Sequence, residues 1–167
     1  MLSTTHETLP KFQEQYISKY IALADTKAMW TFAAASGTLL YLSNKINISN
    51  IDFKDFGSLI ALTIMALIIL SLIYACYTAF RTIRPNTATN NTDNLIFFGA
   101  VAKFPTAEKY IEAVRATSEE QLFEKRLTHC HDLAKVCTAK YQYLKRSQFA
   151  AFFGIMAVVI LVIFVTE

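Results

Sequence analysis

Residues 57–80 read GSLIALTIMALIILSLIYACYTAF. The run carries no charged residue and is dominated by Leu, Ile and Ala. Crossing the hydrocarbon core of a bilayer as a helix takes roughly 20 apolar residues. The stretch therefore predicts a transmembrane helix. Phe53 and Phe56 flank one end, and Tyr74, Tyr77 and Phe80 lie near the other. Aromatic rings favour these positions at a membrane–water boundary. Arg81 and Arg84 follow, and Pro85 closes the helix.

A second run of the same kind covers 149–166, with Lys145 and Arg146 before it. The chain has 167 residues, of which 54% are hydrophobic and 17% charged. A chain of this size has no further mass in which to bury two such helices as a soluble core. Gly and Pro are scarce, so the elements are long.

Residues 28–43 are a weaker candidate, diluted by Thr31, Ser36, Gly37 and Thr38. Charge topology decides for them. Lys and Arg favour the cytoplasmic side of short flanking loops. Three spans put 1–27 and 81–147 on one side, with Lys11, Lys19, Lys27 and eleven further Lys and Arg from Arg81 to Arg146. The opposite loop, 44–56, holds only Lys45 and Lys54, balanced by Asp52 and Asp55. Two spans would split the basic segments across the membrane.

The expected fold is all-α: an integral membrane protein with three transmembrane helices (28–43, 57–80 and 148–166). Residues 1–27 form a cytoplasmic amphipathic helix, 44–56 a periplasmic loop and 81–147 a cytoplasmic helical region. Extensions of the spans and the 81–147 segment make a cytoplasmic bundle. Trp30, Arg81, Lys145 and Arg146 are the expected membrane anchors. The first 27 residues are charged throughout, so no signal peptide is expected.

Leu9, Phe12, Tyr16, Tyr20 and Leu23 recur at spacings of three and four, an apolar stripe on a helix that can continue into the first span. Residues 86–94 are almost purely Asn and Thr and read as a polar linker. Leu95-Ile96-Phe97-Phe98-Gly99 is an apolar knot. Pro105 and Thr106 open a helix that runs to about Ala116, and Ser118 with Gln121 forms a capping box for the next. In that last helix Leu127, Cys130, Ala134, Cys137, Tyr141 and Leu144 form a heptad-like seam. No Gly or Pro intervenes before the final span, so one helix can run from Glu119 past Phe153.

The chemistry is sparse. His129 and His131 point to different helix faces and cannot chelate together, and Cys130 and Cys137 alone do not complete a metal site. Cys76, Cys130 and Cys137 read as reduced thiols. No P-loop, GxGxxG or nucleophile–base motif occurs. The expectation is a protein without enzymatic activity, metal or cofactor. A formal charge of +3 does not suggest nucleic-acid binding. The expected spans carry no ionisable residue in their interiors, which argues against a pump or ion-coupled transporter. Ser36, Gly37, Thr38, Ser58, Thr63 and Ser71 can line a pore after oligomerisation, or pack helix on helix.

Taken in order, Asp25-Thr26-Lys27-Ala28 before a span, Asn94-Leu95-Ile96-Phe97-Phe98-Gly99 ahead of a Tyr110 helix, and Lys140-Tyr141 with Leu144 before the last span resemble the transmembrane Pycsar effectors, the PycTM family of bacterial antiphage defence. The resemblance extends from about Tyr20 to the C-terminus. It implies a multi-pass protein of the bacterial inner membrane with its N-terminus in the cytoplasm. It further implies a partner pyrimidine cyclase that makes a cyclic pyrimidine mononucleotide, cCMP or cUMP. The effector responds to that messenger by impairing the membrane, which causes abortive infection. The expected partners are thus the nucleotide, the lipid bilayer and further copies of the chain, with no nucleic acid.

A cyclic mononucleotide offers one negative charge, a flat base and a hydrogen-bonding edge. A site for it needs a cation, an aromatic face and an amide or backbone group. Arg84, Lys140, Phe97, Phe98, Tyr110, Tyr141 and Asn94 are the candidates. Lys140 and Tyr141 with Asn94 are the favoured set. The plainer reading of Phe97 and Phe98 is core packing, and of Arg84 a headgroup anchor. The alternatives to the effector reading are a membrane-anchored helical interaction subunit and a ligand-independent, holin-like pore former.

Overall fold

A computed structural model of the chain describes residues 4–45, 56–84 and 95–166. The linker residues 86–94, Asn94 among them, lie outside these, as does most of the 44–56 loop. The described residues form five helices and no strand. They are α1 (Thr4–Lys45), α2 (Phe56–Ile83), α3 (Phe98–Val101), α4 (Ala107–Ala116) and α5 (Glu119–Thr166). Thus α1 begins well before the first expected span and continues through it. Likewise, α5 runs unbroken from Glu119 through the last.

The chain divides into two compact units, Met1–Ala22 with Pro85–Ala139, and Leu23–Arg84 with Lys140–Glu167. In the first, α4 is capped as its sequence requires. The Thr106 hydroxyl accepts from the Lys109 N–H at 3.4 Å. Hydrogen bonds from its own N–H and from Thr106 hold the Glu108 carboxyl below the usual range. Ser118 and Gln121 close a reciprocal capping box, both contacts at 3.2 Å. The Tyr110 hydroxyl donates to the Leu95 carbonyl at 3.1 Å and ties the apolar knot to α4. The Cys130 thiol donates to the Pro10 carbonyl at 3.4 Å, joining α5 to α1. Leu9 and Phe12 of the apolar stripe stay exposed.

The second unit is a three-helix bundle. One cluster contains Ala24, Ala28 and Leu144, with Ile83 and Tyr141 against it. The next contains Ala35, Leu42, Ile68, Leu72, Ala75, Ala151 and Val158. Residue numbers rise together on α1 and α5 and fall on α2. In this unit α1 is therefore parallel to α5, and α2 is antiparallel to both.

Small residues make up much of the interior, and most of the bundle's large apolar side chains face out. Ala24, Ala28, Ala35, Ala75, Ala79, Ala151 and Ser147 are buried. Leu59, Ile60, Ile64, Leu67 and Leu70 of α2, with Phe149, Phe152, Phe153 and Ile160 of α5, are exposed. A water-soluble bundle does the reverse, because burying large apolar side chains drives its folding. In lipid the tails solvate those side chains, and small residues let backbones approach. Two helices, Gly57–Ile83 and Glu119–Ile163, are long and apolar enough to cross a membrane. This is a membrane protein. The α1 helix is long enough but less apolar over 28–45.

Hydroxyls knit the bundle in two ways. Thr31, Thr38, Thr63, Thr78 and Thr82 donate to carbonyls one turn back in their own helices. Ser71 donates across to the Ala150 carbonyl at 3.0 Å, and Ser147 to the Ala75 carbonyl at 2.9 Å. Such bonds average about 0.6 kcal/mol in membrane proteins. They place Ser71 in helix packing.

Gly154 shows how close α2 and α5 come. A Cβ built there would lie 2.7 Å from Cδ2 of Leu72, a fully buried side chain. At Gly37 the same Cβ meets open space. Gly154→Val should therefore lower the thermal midpoint of the detergent-solubilised protein, since overpacking costs about 1–3 kcal/mol. Gly37→Ala should leave the midpoint unchanged or raise it slightly. Equal midpoints for the two variants would contradict this packing.

Candidate functional site

At one end of the three-helix bundle a charged side chain is buried. Lys140 of α5 is only 8% exposed. Its ammonium is ion-paired with Asp25 of α1, whose side chain keeps 31% exposure. It also donates to the Thr82 main-chain carbonyl of α2 at 2.6 Å. One ammonium thus joins three helices.

Local sequence explains each partner. Asp25 follows Ala24 and precedes Ala28 by three residues, so it sits at the border of the small face that packs against Leu144. Thr82 lies one residue before the end of α2, where helix carbonyls lack a next-turn partner and are free to accept. Its own hydroxyl is satisfied by the Thr78 carbonyl at 3.0 Å. Every buried side-chain nitrogen and oxygen among the described residues has a partner. The partners do not contribute equally. Removing Asp25 strands a buried ammonium, a change that costs about 3–5 kcal/mol for a buried pair. Removing Lys140 strands a carboxylate that water already reaches, which costs less.

The residues expected as anchors sit near this layer. Five residues of helix span about 7.5 Å. Trp30 and Lys145 lie that far beyond Asp25 and Lys140, and Tyr77 that far before Thr82. The bundle's helix directions put all three at one level. Trp30 is 74% exposed, and Tyr77 and Lys145 are exposed as well. Arg146 is exposed beside Lys145. Arg81 donates to Tyr143 at 3.2 Å and to Tyr77 at 3.4 Å, and lies 5.3 Å from the centre of the Tyr143 ring. Aromatic and basic side chains at one level are the signature of a membrane–water boundary.

The family model for the Pycsar effector protein domain, PycTM, matches residues 11–167. The chain belongs to the PycTM family of Pycsar effectors. It is also 27% identical over 136 residues to the Pycsar effector protein SaPycTM of Staphylococcus aureus, a match covering 81% of each chain. No solved structure matches it. The family assigns this PycTM protein to the effectors of antiphage defence.

The residues expected to bind a ligand in this PycTM protein fall into two groups. Phe97, Phe98 and Tyr110 belong to the first unit, whereas Arg84, Lys140 and Tyr141 belong to the second. Phe97 and Phe98 pack ring against ring at 4.6 Å, and Phe97 also faces the buried His129 at 6.3 Å. Phe98 is 64% exposed, which overturns its reading as core. It opens the short α3, and that turn buries Ala100 in its place. Tyr110 packs edge-on against Phe104 at 5.4 Å while its hydroxyl holds Leu95. Tyr141 packs into the cluster of Ala24, Ala28 and Leu144. Arg84 is exposed just past the end of α2. Asn94 lies outside the described residues.

His131 points away from His129 and is exposed, as its place on the helix requires. Among the described residues no cluster of His, Cys, Asp and Glu has the make-up of a metal site. Burial pushes the Cys130 thiol above its ordinary range, Glu14 adds to the shift and Arg126 opposes it. A raised thiol is the less nucleophilic protonated form at neutral pH, so Cys130 serves packing.

Sequence reasoning missed Asp25 and Thr82 as the partners of Lys140. Asp25 carried a usable signal, as an acid three residues before an alanine-faced helix. Thr82 carried none, because its contribution is a backbone carbonyl.

Proposed function

We propose that this chain is a non-enzymatic effector that impairs the bacterial inner membrane on command from a cyclic pyrimidine mononucleotide, cCMP or cUMP, made by a partner cyclase. The observation that carries the reading is the family match across 11–167, on a chain whose three-helix unit turns its large apolar side chains outward. The α1 helix supplies the third span. It packs along both membrane helices through Ala28, Ala35 and Leu42, and it presents Trp30 at the level of Tyr77 and Lys145. The first unit, with eight Lys and Arg, then lies in the cytoplasm, where the messenger is made. The nucleotide acts by favouring one of two bundle states, and only its difference in affinity between them drives the change. Both α1 and α5 pass uninterrupted from the first unit into the bundle, so they are the covalent routes for that change. A three-span protomer is too small to enclose a channel, so the acting species is an oligomer. The exposed Leu9 and Phe12 are surface available to it.

Two experiments test this. In cells making the protein, dye entry should follow supply of cCMP or cUMP and should not follow other cyclic nucleotides. Leakage indifferent to every cyclic nucleotide would show a pore former without a sensor. An alkaline phosphatase domain fused to the C-terminus should be active, and one fused to the N-terminus inactive. Equal activity at both ends would mean two spans.

A further inference from the structure

We infer that the Lys140–Asp25 ion pair is a lock that holds the membrane bundle in its resting state, and that membrane impairment requires the lock to open. The inference rests on the reading that this effector impairs membranes, and adds the contact that restrains it.

Three observations carry it. The first is what the ion pair joins. Ser71 and Ser147 tie α5 to α2 alone. Lys140 ties α5 to α2 through Thr82 and to α1 through Asp25. The buried residues that otherwise seat α1 near the pair are alanines, Ala24, Ala28 and Ala35, with Leu39 and Leu42 farther along. Alanine contacts are short and nearly featureless along a helix, so they tolerate sliding and rotation. The ion pair does not, because it fixes one point on each helix.

The second is the type of contact. A buried ion pair is a poor choice where stability alone is needed, since apolar residues of similar volume do as well or better. Its best-attested use is to specify one arrangement among several. The bundle interior around it is alanine, leucine and serine, which would pack without it.

The third is position. Lys140 is the first residue of α5 in the bundle unit, and Asp25 the third of α1. The pair therefore sits where both helices enter the bundle unit, beside the first buried alanine of α1. Asp25 also keeps partial access to water, so the carboxylate can leave and become hydrated. The lock is stable while closed and has a way to open.

The test uses the full chain in cells that lack a pyrimidine cyclase, at matched expression. Asp25→Asn, Lys140→Gln and the reversed pair Asp25→Lys with Lys140→Asp are compared with the unaltered protein. Gly154→Ala serves as a control that disturbs the same bundle away from the pair. Carbonate-resistant membrane protein measures insertion, and propidium entry measures leakage. Both single variants should insert normally and raise the dye-positive fraction about tenfold without any nucleotide, as when a minor state becomes a major one. The reversed pair should restore silence, and Gly154→Ala should stay silent. The lock is overturned if the inserted single variants are silent or fail to insert. It is also overturned if the reversed pair leaks as they do, or if Gly154→Ala leaks equally. Adding cCMP or cUMP to the unaltered protein separates the two claims. Leaky single variants beside an unresponsive parent would leave the lock standing and remove the nucleotide. A responsive parent beside silent variants would do the opposite.

Discussion

An ammonium group almost out of reach of water must be met by fixed charge or dipole, and Lys140 finds one of each on the two helices beside its own. Much of the bundle is arranged around that requirement. The α1 helix must present Asp25 at this level, so its alanine face is set in rotation. The α2 helix must end close by, because the last four carbonyls of a helix are open to donors from outside it. The α5 helix must pass through without a break, because its buried cation sits midway along 48 residues. The spacing of Ser147 and Ser71 then places their cross-helix bonds at successive levels.

Away from that level the bundle obeys the bilayer. Hydrocarbon tails are as apolar as leucine, so the outward-facing large side chains cost nothing, and close backbone approach becomes the source of cohesion. Gly154 against Leu72 is the tightest expression of this. Trp30, Tyr77 and Lys145 lie exposed at one level of the bundle. The ion pair lies about 7.5 Å along the helices from Trp30, Tyr77 and Lys145. A contact there meets both environments, with Lys140 shielded and Asp25 partly wet.

Much of the fold was legible in the sequence, for physical reasons. An uncharged run such as 57–80, placed in lipid without strand partners, satisfies its backbone within itself as a helix. Thr106 with Glu108 and Ser118 with Gln121 announce helix starts because a short polar side chain there replaces a missing backbone partner. The absence of Gly and Pro between Glu119 and Phe153 predicts the continuity of α5 into the last span. The site was less legible. The charge of Lys140 marks it out, but its partners within the chain are a carboxylate 115 residues away in sequence and a main-chain carbonyl 58 away. Periodicity reports which face of a helix is apolar, not which groups meet across three helices. The exposure of Phe98 is hidden from the sequence for a related reason. A four-residue helix is too short for its pattern to say which of two adjacent phenylalanines turns inward.

The central claim is that Asp25 and Lys140 act as one coupled unit. A double-mutant cycle in lipid nanodiscs, with Asp25→Ala, Lys140→Met and the two combined, measures that coupling through unfolding free energy. Each single change should destabilise the protein, Asp25→Ala more than Lys140→Met. The double variant should recover much of the loss, with a coupling in the range of about 0.5–3 kcal/mol found for groups in contact. Strictly additive losses, with a coupling below about 0.3 kcal/mol, would contradict the account.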